Sequence, residues 1–207
     1  MSERRVRAYL GLGANVGDAA RTLAWAVGAL AALPGARLRG VSRLYATDPV
    51  GVTDQPEFRN AVVALDAPGG EDPAIGALAL LSQLKELERQ SGRQERERWG
   101  PRELDLDLLI FGRAEISVER PLAARSNDAD QDTAKATKLL VVPHPEAHRR
   151  LFVLAPLSDV ARWLVPPGWH ETVTKARVRQ ETVEGPGAVR PIGDWDAATD
   201  GWGRSAS

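Results

Sequence analysis

The stretch Trp99–Gly112, WGPRELDLDLLIFG, sets Leu104, Leu106, Leu108 and Ile110 in alternation with Glu103, Asp105 and Asp107. A period of two is that of a β-strand, whose successive side chains stand on opposite faces. One face is then apolar and bound for a core, and three carboxylates stand in a row on the other. Taken alone, that is a strand with one face in water. Yet Asp is a poor strand former and adjacent like charges repel. A second reading therefore stands beside the first: two aspartates whose oxygens converge on one strand face suit a hard cation such as Mg²⁺, and a Mg²⁺ pair held this way clamps nucleotide phosphates.

The flanks favour the second reading. Arg93, Arg96, Arg98 and Arg102 crowd the entrance of the strand, and guanidinium forks match phosphate oxygens. Downstream, PHPEAHRRLF places His144, His148, Arg149 and Arg150 close together, and an imidazole donates to an anion or passes a proton near neutral pH. Phe58 and Phe152 stand beside polar neighbours, which suits either core packing or a stacking platform for a flat heterocycle. GLGANVGD, from Gly11, lacks the lysine of a phosphate-binding P-loop and reads as a tight strand-to-helix turn.

Working outward, VRAYLGLG alternates as a strand, and Asp18 is placed to cap a helix with Leu23, Ala26, Val27, Leu30 and Leu33 on one face. ARLRGVSRLYAT and EFRNAVVALDA read as two further strands joined by DPVGVTDQP. Pro73 opens a second helix, with Ile75, Leu78, Leu81, Leu84 and Leu87 as its apolar face. The carboxylate strand follows. The order β, α, β, β, α, β predicts an α+β fold, a ferredoxin-like βαββαβ sandwich with additional C-terminal elements.

The 207 residues suffice for one domain with an appendage, and 27 Lys and Arg against 28 Asp and Glu leave a formal net charge of -1. Any anion site must then be built locally, and neither nucleic acid nor anionic membrane is an expected partner. The absence of cysteine excludes disulfides and thiolate chemistry. The apolar run near the N-terminus is far short of the roughly 20 residues that span a bilayer, so a cytoplasmic location is the expectation.

Taken in order, YLGLGANVGD, LYATDPVGVTDQPEFRNAVV, LKELERQSGR, RWGPRELDLDLLIFG and VPHPEAHRRLFVLAPL resemble 6-hydroxymethyl-7,8-dihydropterin pyrophosphokinase of folate biosynthesis, over roughly Val6 to Val160. The resemblance implies transfer of the β,γ-diphosphate of ATP to the hydroxymethyl oxygen of 6-hydroxymethyl-7,8-dihydropterin, with release of AMP, two Mg²⁺ ions and a monomeric enzyme. It implies that Asp105 and Asp107 hold the metal while Glu103 faces solvent. Phe58 and Phe152 would sandwich the pterin, Asn60 would bond its edge, and Thr47 and Val50 would complete its pocket. Glu88, Arg93, Trp99, Arg102, His144 and Arg150 would line the ATP and phosphate sites. Asp107 would take the hydroxyl proton, with Arg93, Arg102, His144 and Arg150 serving the transfer.

Three departures accompany the resemblance. The spacing before RWGPR is one residue short, so Arg96 and Arg98 are both candidates for a loop arginine that meets ATP. Leu139 and Val141 occupy places where the family often carries an Arg and a Thr, with Lys138 as a partial replacement. A polar insertion at about 115–138 interrupts the pyrophosphokinase domain, 1–165, and 166–207 reads as a C-terminal extension, partly disordered after about Glu184. The rival readings are an Mg-dependent nucleotidyl or phosphoryl transferase on a similar sandwich, and an RNA-binding sandwich, against which the acidic strand and neutral charge argue.

Overall fold

The computed structural model describes residues 4–49, 54–92, 102–121 and 137–203. Strand β1 (Arg5–Ala14) leads to helix α1 (Ala19–Ala31), capped as expected by Asp18, whose carboxylate accepts the Arg21 N–H at 3.1 Å. Strands β2 (Arg37–Val41), β3 (Leu44–Thr47) and β4 (Phe58–Pro68) precede helix α2 (Pro73–Gln90), where the Asp72 carboxylate accepts the Ala74 N–H at 2.7 Å. β5 (Asp105–Phe111) closes the βαββαβ unit. The strands run antiparallel in the order β5-β1-β4, and both β2 and β3 pair with β4. This is the ferredoxin-like order expected of two interleaved halves.

α1 and α2 cover one face of the sheet. Leu23, Ala26, Val27 and Leu30 of α1 pack there with Ala77, Leu80, Leu84 and Leu87 of α2, against Leu10, Leu12, Val63, Leu65, Leu104, Leu106 and Leu108. Of the apolar face expected of α2, Leu84 and Leu87 are buried and Leu78 and Leu81 pack against the core, and only Ile75 departs. Ile75 is 58% exposed, and Ala77 and Leu80 are buried in its place. The cause is Gly76, which meets the backbone of Gly69 and Gly70 so closely that an added Cβ would stand 2.6 Å from the Gly69 carbonyl carbon. That contact sets the rotation of the helix.

The single strand expected over ARLRGVSRLYAT is two. Between β2 and β3 the chain turns to bring Arg43 to Asp159: the Arg43 N–H and guanidinium donate to that carboxylate, as does the Tyr45 hydroxyl at 2.9 Å. Ser42 maintains the ladder through the break, since its hydroxyl accepts the Val62 N–H at 2.9 Å and its own N–H donates to the Val62 carbonyl.

The opposite face is covered from the C-terminal side. β6 (Ile116–Glu119), inside the polar insertion expected at about 115–138, pairs with β7 (Lys138–Val142) at its end to form a separate two-stranded sheet, and 122–136 falls outside the described residues. Helices α3 (Leu151–Ala161) and α4 (Val173–Glu184) follow, and Leu157, Ala161 and Val173 pack on Tyr9, Val62, Ala64, Leu109 and Ile110. The segment expected to lose order after about Glu184 instead forms β8 (Val189–Asp196) and β9 (Gly201–Gly203). β3 would otherwise leave an unpaired edge. β8 pairs with it antiparallel, and the Trp202 indole N–H of β9 donates to the Ser42 carbonyl at 2.9 Å.

Replacing Gly76 by Ala raises intrinsic helix propensity by about 1 kcal/mol, but the contact with Gly69 forces an overpacked interface. We expect Gly76→Ala to destabilise the fold by about 2 kcal/mol net, read as a lower urea midpoint at unchanged m-value; an equal or higher midpoint contradicts this packing.

Candidate active site

β5 turns its carboxylates and its later apolar residues to the same side by means of a bulge. Tyr9 pairs with Ile110 and Leu10 with Leu108, which leaves Leu109 as an extra residue. Leu104, Leu106 and Leu108 stay in the α1/α2 core, but Ile110, expected on that face, moves with Leu109 to the other. Bulges re-aim a strand in this way. Here the Leu109 carbonyl accepts the His144 N–H at 2.8 Å, which fixes the loop after β7 over the sheet. Glu103 precedes β5 and is partly buried, so the expected row of three carboxylates reduces to Asp105 and Asp107, and Glu103 is not simply turned to solvent.

Beside these two aspartates β1 presents glycine to the cleft. On β1, Gly11 pairs with Asp107 on one side and Val62 on the other, and Gly13 pairs with Asp105 and Asn60. Any other residue at either place would project a Cβ into the cleft. The glycines expected in a tight turn therefore lie inside the strand, where they leave a smooth floor between the acids of β5 and the polar side chains of β4.

A cleft of about 710 Å³ opens over this floor. Thr47, Phe58, Asn60, Arg102, Asp105, Asp107, His144, Arg150 and Phe152 all line it, so residues from across the sequence meet in one place. Asn60 donates to the Thr47 hydroxyl at 2.9 Å. The Arg102 guanidinium lies 2.5 Å from Asp105 Oδ2. His144 Nδ1 accepts the Glu146 N–H at 3.3 Å, which leaves Nε2 as the donor. The Arg150 guanidinium stands 5.8 Å over the centroid of the Phe152 ring.

Glu88 is placed differently. It is 2% exposed at the outer edge of β5, where its carboxylate accepts the Leu106 N–H at 2.8 Å and meets Lys85 at 2.9 Å. It supplies the acceptor that a further strand would have given to this edge. Lys138, considered as a replacement for lost ATP contacts, is ion-paired with Glu119, and Leu139 is 39% exposed. Val50, Arg93, Arg96, Arg98 and Trp99 lie outside the described residues.

Asn15 is the residue that sequence reasoning missed. It is 2% exposed, its amide donates to the Gln55 side chain and the Pro56 carbonyl at 3.1 Å each, and its Oδ1 accepts the Arg102 N–H at 2.7 Å. It thus ties the end of β1 to the residues before Phe58 and to the residue that meets Asp105. The signal was an Asn directly after a strand, in a position where a turn residue was the simpler reading.

Burial holds the Asp107 carboxyl above the ordinary carboxylate range, and the charge of Asp105 adds to this; His144 and Lys85 oppose it. Two close like charges facing one cleft are an arrangement that a divalent cation relieves. Among the described residues no cluster of three or more His, Asp or Glu is placed to cage a metal. Two carboxylates do fit Mg²⁺, which keeps waters and takes substrate phosphates as its remaining ligands.

An α+β sandwich with a carboxylate pair on its open face, guanidinium groups beside them and two aromatic rings across the cleft belongs to the class suited to metal-assisted phosphoryl transfer. The family model for 7,8-dihydro-6-hydroxymethylpterin-pyrophosphokinase matches residues 9–162, and the chain belongs to that family. It is 41% identical over 170 residues to the 2-amino-4-hydroxy-6-hydroxymethyldihydropteridine pyrophosphokinase of Methylorubrum extorquens, covering 82% of this chain and 90% of the relative. With the Bacillus subtilis protein of the same name it shares 34% over 176 residues, 85% and 87% of the two chains. Among solved structures, Plasmodium falciparum HPPK-DHPS A437G with STZ-DHP superposes with a TM-score of 0.70 at 14% identity, covering 98% of this chain and 51% of that one. That likeness concerns the fold, and this chain spans about half the length of the Plasmodium chain. The chain is accordingly an ATP-dependent diphosphokinase of folate biosynthesis that acts on hydroxymethyldihydropterin.

Removing the Asn15 side chain leaves the Arg102 N–H and the Pro56 carbonyl without their partner, and Asn15→Ala should lower stability by about 3 kcal/mol, measured by urea unfolding. A loss below about 1 kcal/mol would show that these bonds are replaced by water.

Because the Asp107 pKa is raised, the folded chain keeps that proton to higher pH than the unfolded chain does. The term favours the fold below the ordinary carboxylate range and is lost as pH rises through the raised value, so ionised Asp107 opposes folding at neutral pH. Asp107→Asn should therefore raise the melting temperature of the ligand-free protein at pH 7, with the gain shrinking towards about pH 4. An unchanged or lower melting temperature at pH 7 counts against the repulsion.

Proposed function

We propose that Asp105 and Asp107 hold two Mg²⁺ ions with ATP, and that the β,γ-diphosphate passes to the hydroxymethyl oxygen of 6-hydroxymethyl-7,8-dihydropterin over the Gly11–Gly13 floor. The observation that carries this reading is the meeting of the carboxylate pair with Phe58, Asn60 and Phe152 in one cleft. When bound, Mg²⁺ supplies charge neutralisation on the phosphates and polarises the attacking oxygen.

The pterin ring stacks between Phe58 and Phe152, with its polar edge on Asn60 and the segment of Thr47 and Val50. Asn60 is oriented by its bond to Thr47, so the edge is read by a fixed amide. Arg102 and Arg150, with Arg93, Trp99 and whichever of Arg96 and Arg98 reaches the nucleotide, neutralise the polyphosphate, and His144 donates through Nε2. Glu88 contributes by holding Leu106, between the two aspartates, rather than by touching ATP. The new bond joins the hydroxymethyl oxygen to the β-phosphorus; the bond from that phosphorus to the α,β-bridging oxygen breaks and AMP leaves. The hydroxyl proton passes to Asp107, since a hydroxyl polarised by bound Mg²⁺ would need only a weak base. The same reading makes the enzyme a cytoplasmic monomer with a catalytic domain over 1–165, free of nucleic acid and membrane. No helix among the described residues is long and apolar enough to cross a bilayer.

Incubation with MgATP and the dihydropterin should give AMP and pterin diphosphate one for one, and ADP in place of AMP would identify a simple phosphoryl transferase instead. Asp105→Ala and Asp107→Ala should each reduce kcat about a thousandfold, about 4 kcal/mol, with far-ultraviolet circular dichroism unchanged. Near-parental rates at saturating Mg²⁺ would overturn the assigned roles.

A further inference from the structure

The family match ends at residue 162, before α4 begins, yet the chain beyond it reaches the cleft. Glu184, the last residue of α4, lines the cleft together with Ala188 and Val189. Its carboxylate accepts the Leu151 N–H at 2.8 Å and the Gln180 amide at 2.9 Å. Leu151 opens α3, and its N–H is one of the donors that a helix start leaves without an intrahelical partner. The local N-cap residue, Arg150, makes no side-chain cap, so the cap comes from α4. The turn it fixes carries Phe152 and Val153, both of which line the cleft.

The same unit grips the opposite wall. Val189 of β8 pairs with Thr47. The Arg190 guanidinium donates to Asp48 at 3.2 Å and to Glu57 at 2.5 Å, the neighbours of Thr47 and Phe58. One short run, Glu184 to Arg190, therefore bonds the helix that presents Phe152 and the strands that present Thr47 and Phe58. α4 itself is anchored at its other end, where Val173 and Ala176 are fully buried, so its folding does not depend on Glu184.

Resting on the pterin pocket proposed above, we infer that the α4–β8 unit sets the gap between the two aromatic walls, and that Glu184 is a positioning residue for the pterin. The carboxylate acts through the Leu151 amide, so a neutral acceptor of the same shape serves equally well.

The test compares Glu184→Ala, Glu184→Gln and Phe152→Ala in the full chain, with KM measured separately for dihydropterin and ATP. Glu184→Ala should raise the KM for dihydropterin about tenfold and leave kcat and the KM for ATP within about twofold. Glu184→Gln should restore the parental value, because its amide oxygen still accepts the Leu151 N–H. If Phe152→Ala raises the dihydropterin KM and Glu184→Ala does not, the inference is overturned while the pocket stands. If Phe152→Ala leaves that KM unchanged, the pocket reading fails and the inference with it. A parallel rise in both KM values with a lowered melting temperature for Glu184→Ala also overturns it, since the contact would then be a plain helix cap.

Discussion

Two carboxylates of like charge, two residues apart on one strand face, are the constraint around which this molecule is arranged. Asp105 and Asp107 are kept on β5 because the strand's other face, Leu104, Leu106 and Leu108, is fully committed to the α1/α2 core. The strand cannot slip by one residue without burying both charges. Its outer edge is tied down by Glu88 through the Leu106 amide, and its inner edge is paired to β1. The repulsion is thereby held in place. Burial, with that repulsion added, holds the Asp107 carboxyl above the ordinary carboxylate range.

The neighbouring elements follow from that placement. Gly11 and Gly13 clear the floor beside the aspartates, so that substrate atoms can approach where side chains would otherwise stand. The bulge at Leu109 returns β5 to an apolar face and offers a carbonyl to His144, which brings the basic segment after β7 to the same opening. Asn15 joins Arg102 to the residues before β4, coupling the Arg102 side of the cleft to the Phe58 side. Function and stability oppose each other at Asp107, a common arrangement where charge is collected for chemistry.

Much of this was legible in residue patterns. The period-two alternation of β5, the Asp18 cap, the Pro73 helix start and the order of elements lead directly to the sandwich. Misreadings arose where tertiary contact overrides local pattern. Ile75 looks like part of the core face, yet Gly76, docked on Gly69, and Ala77 are buried there instead. Ile110 follows the alternation of β5 until the bulge shifts it. GLG resembles a turn because glycine is rare inside strands, and its use as an empty floor depends on partners from β4 and β5. The segment beyond Glu184 is rich in Gly and Pro and lacks periodicity, yet it orders because β3 offers it an edge. A through-space cap such as Glu184 on Leu151 has no local signature.

The most direct test of the account is a ¹³C carboxyl NMR titration of Asp105 and Asp107, without ligand and with Mg²⁺ plus a non-hydrolysable ATP analogue. The account predicts that Asp107 titrates above the ordinary carboxylate range in the free protein and falls back when the Mg²⁺ complex binds, because the cation takes over the repulsion between the two charges. Ordinary titration of Asp107, unmoved by Mg²⁺ and nucleotide, would contradict it.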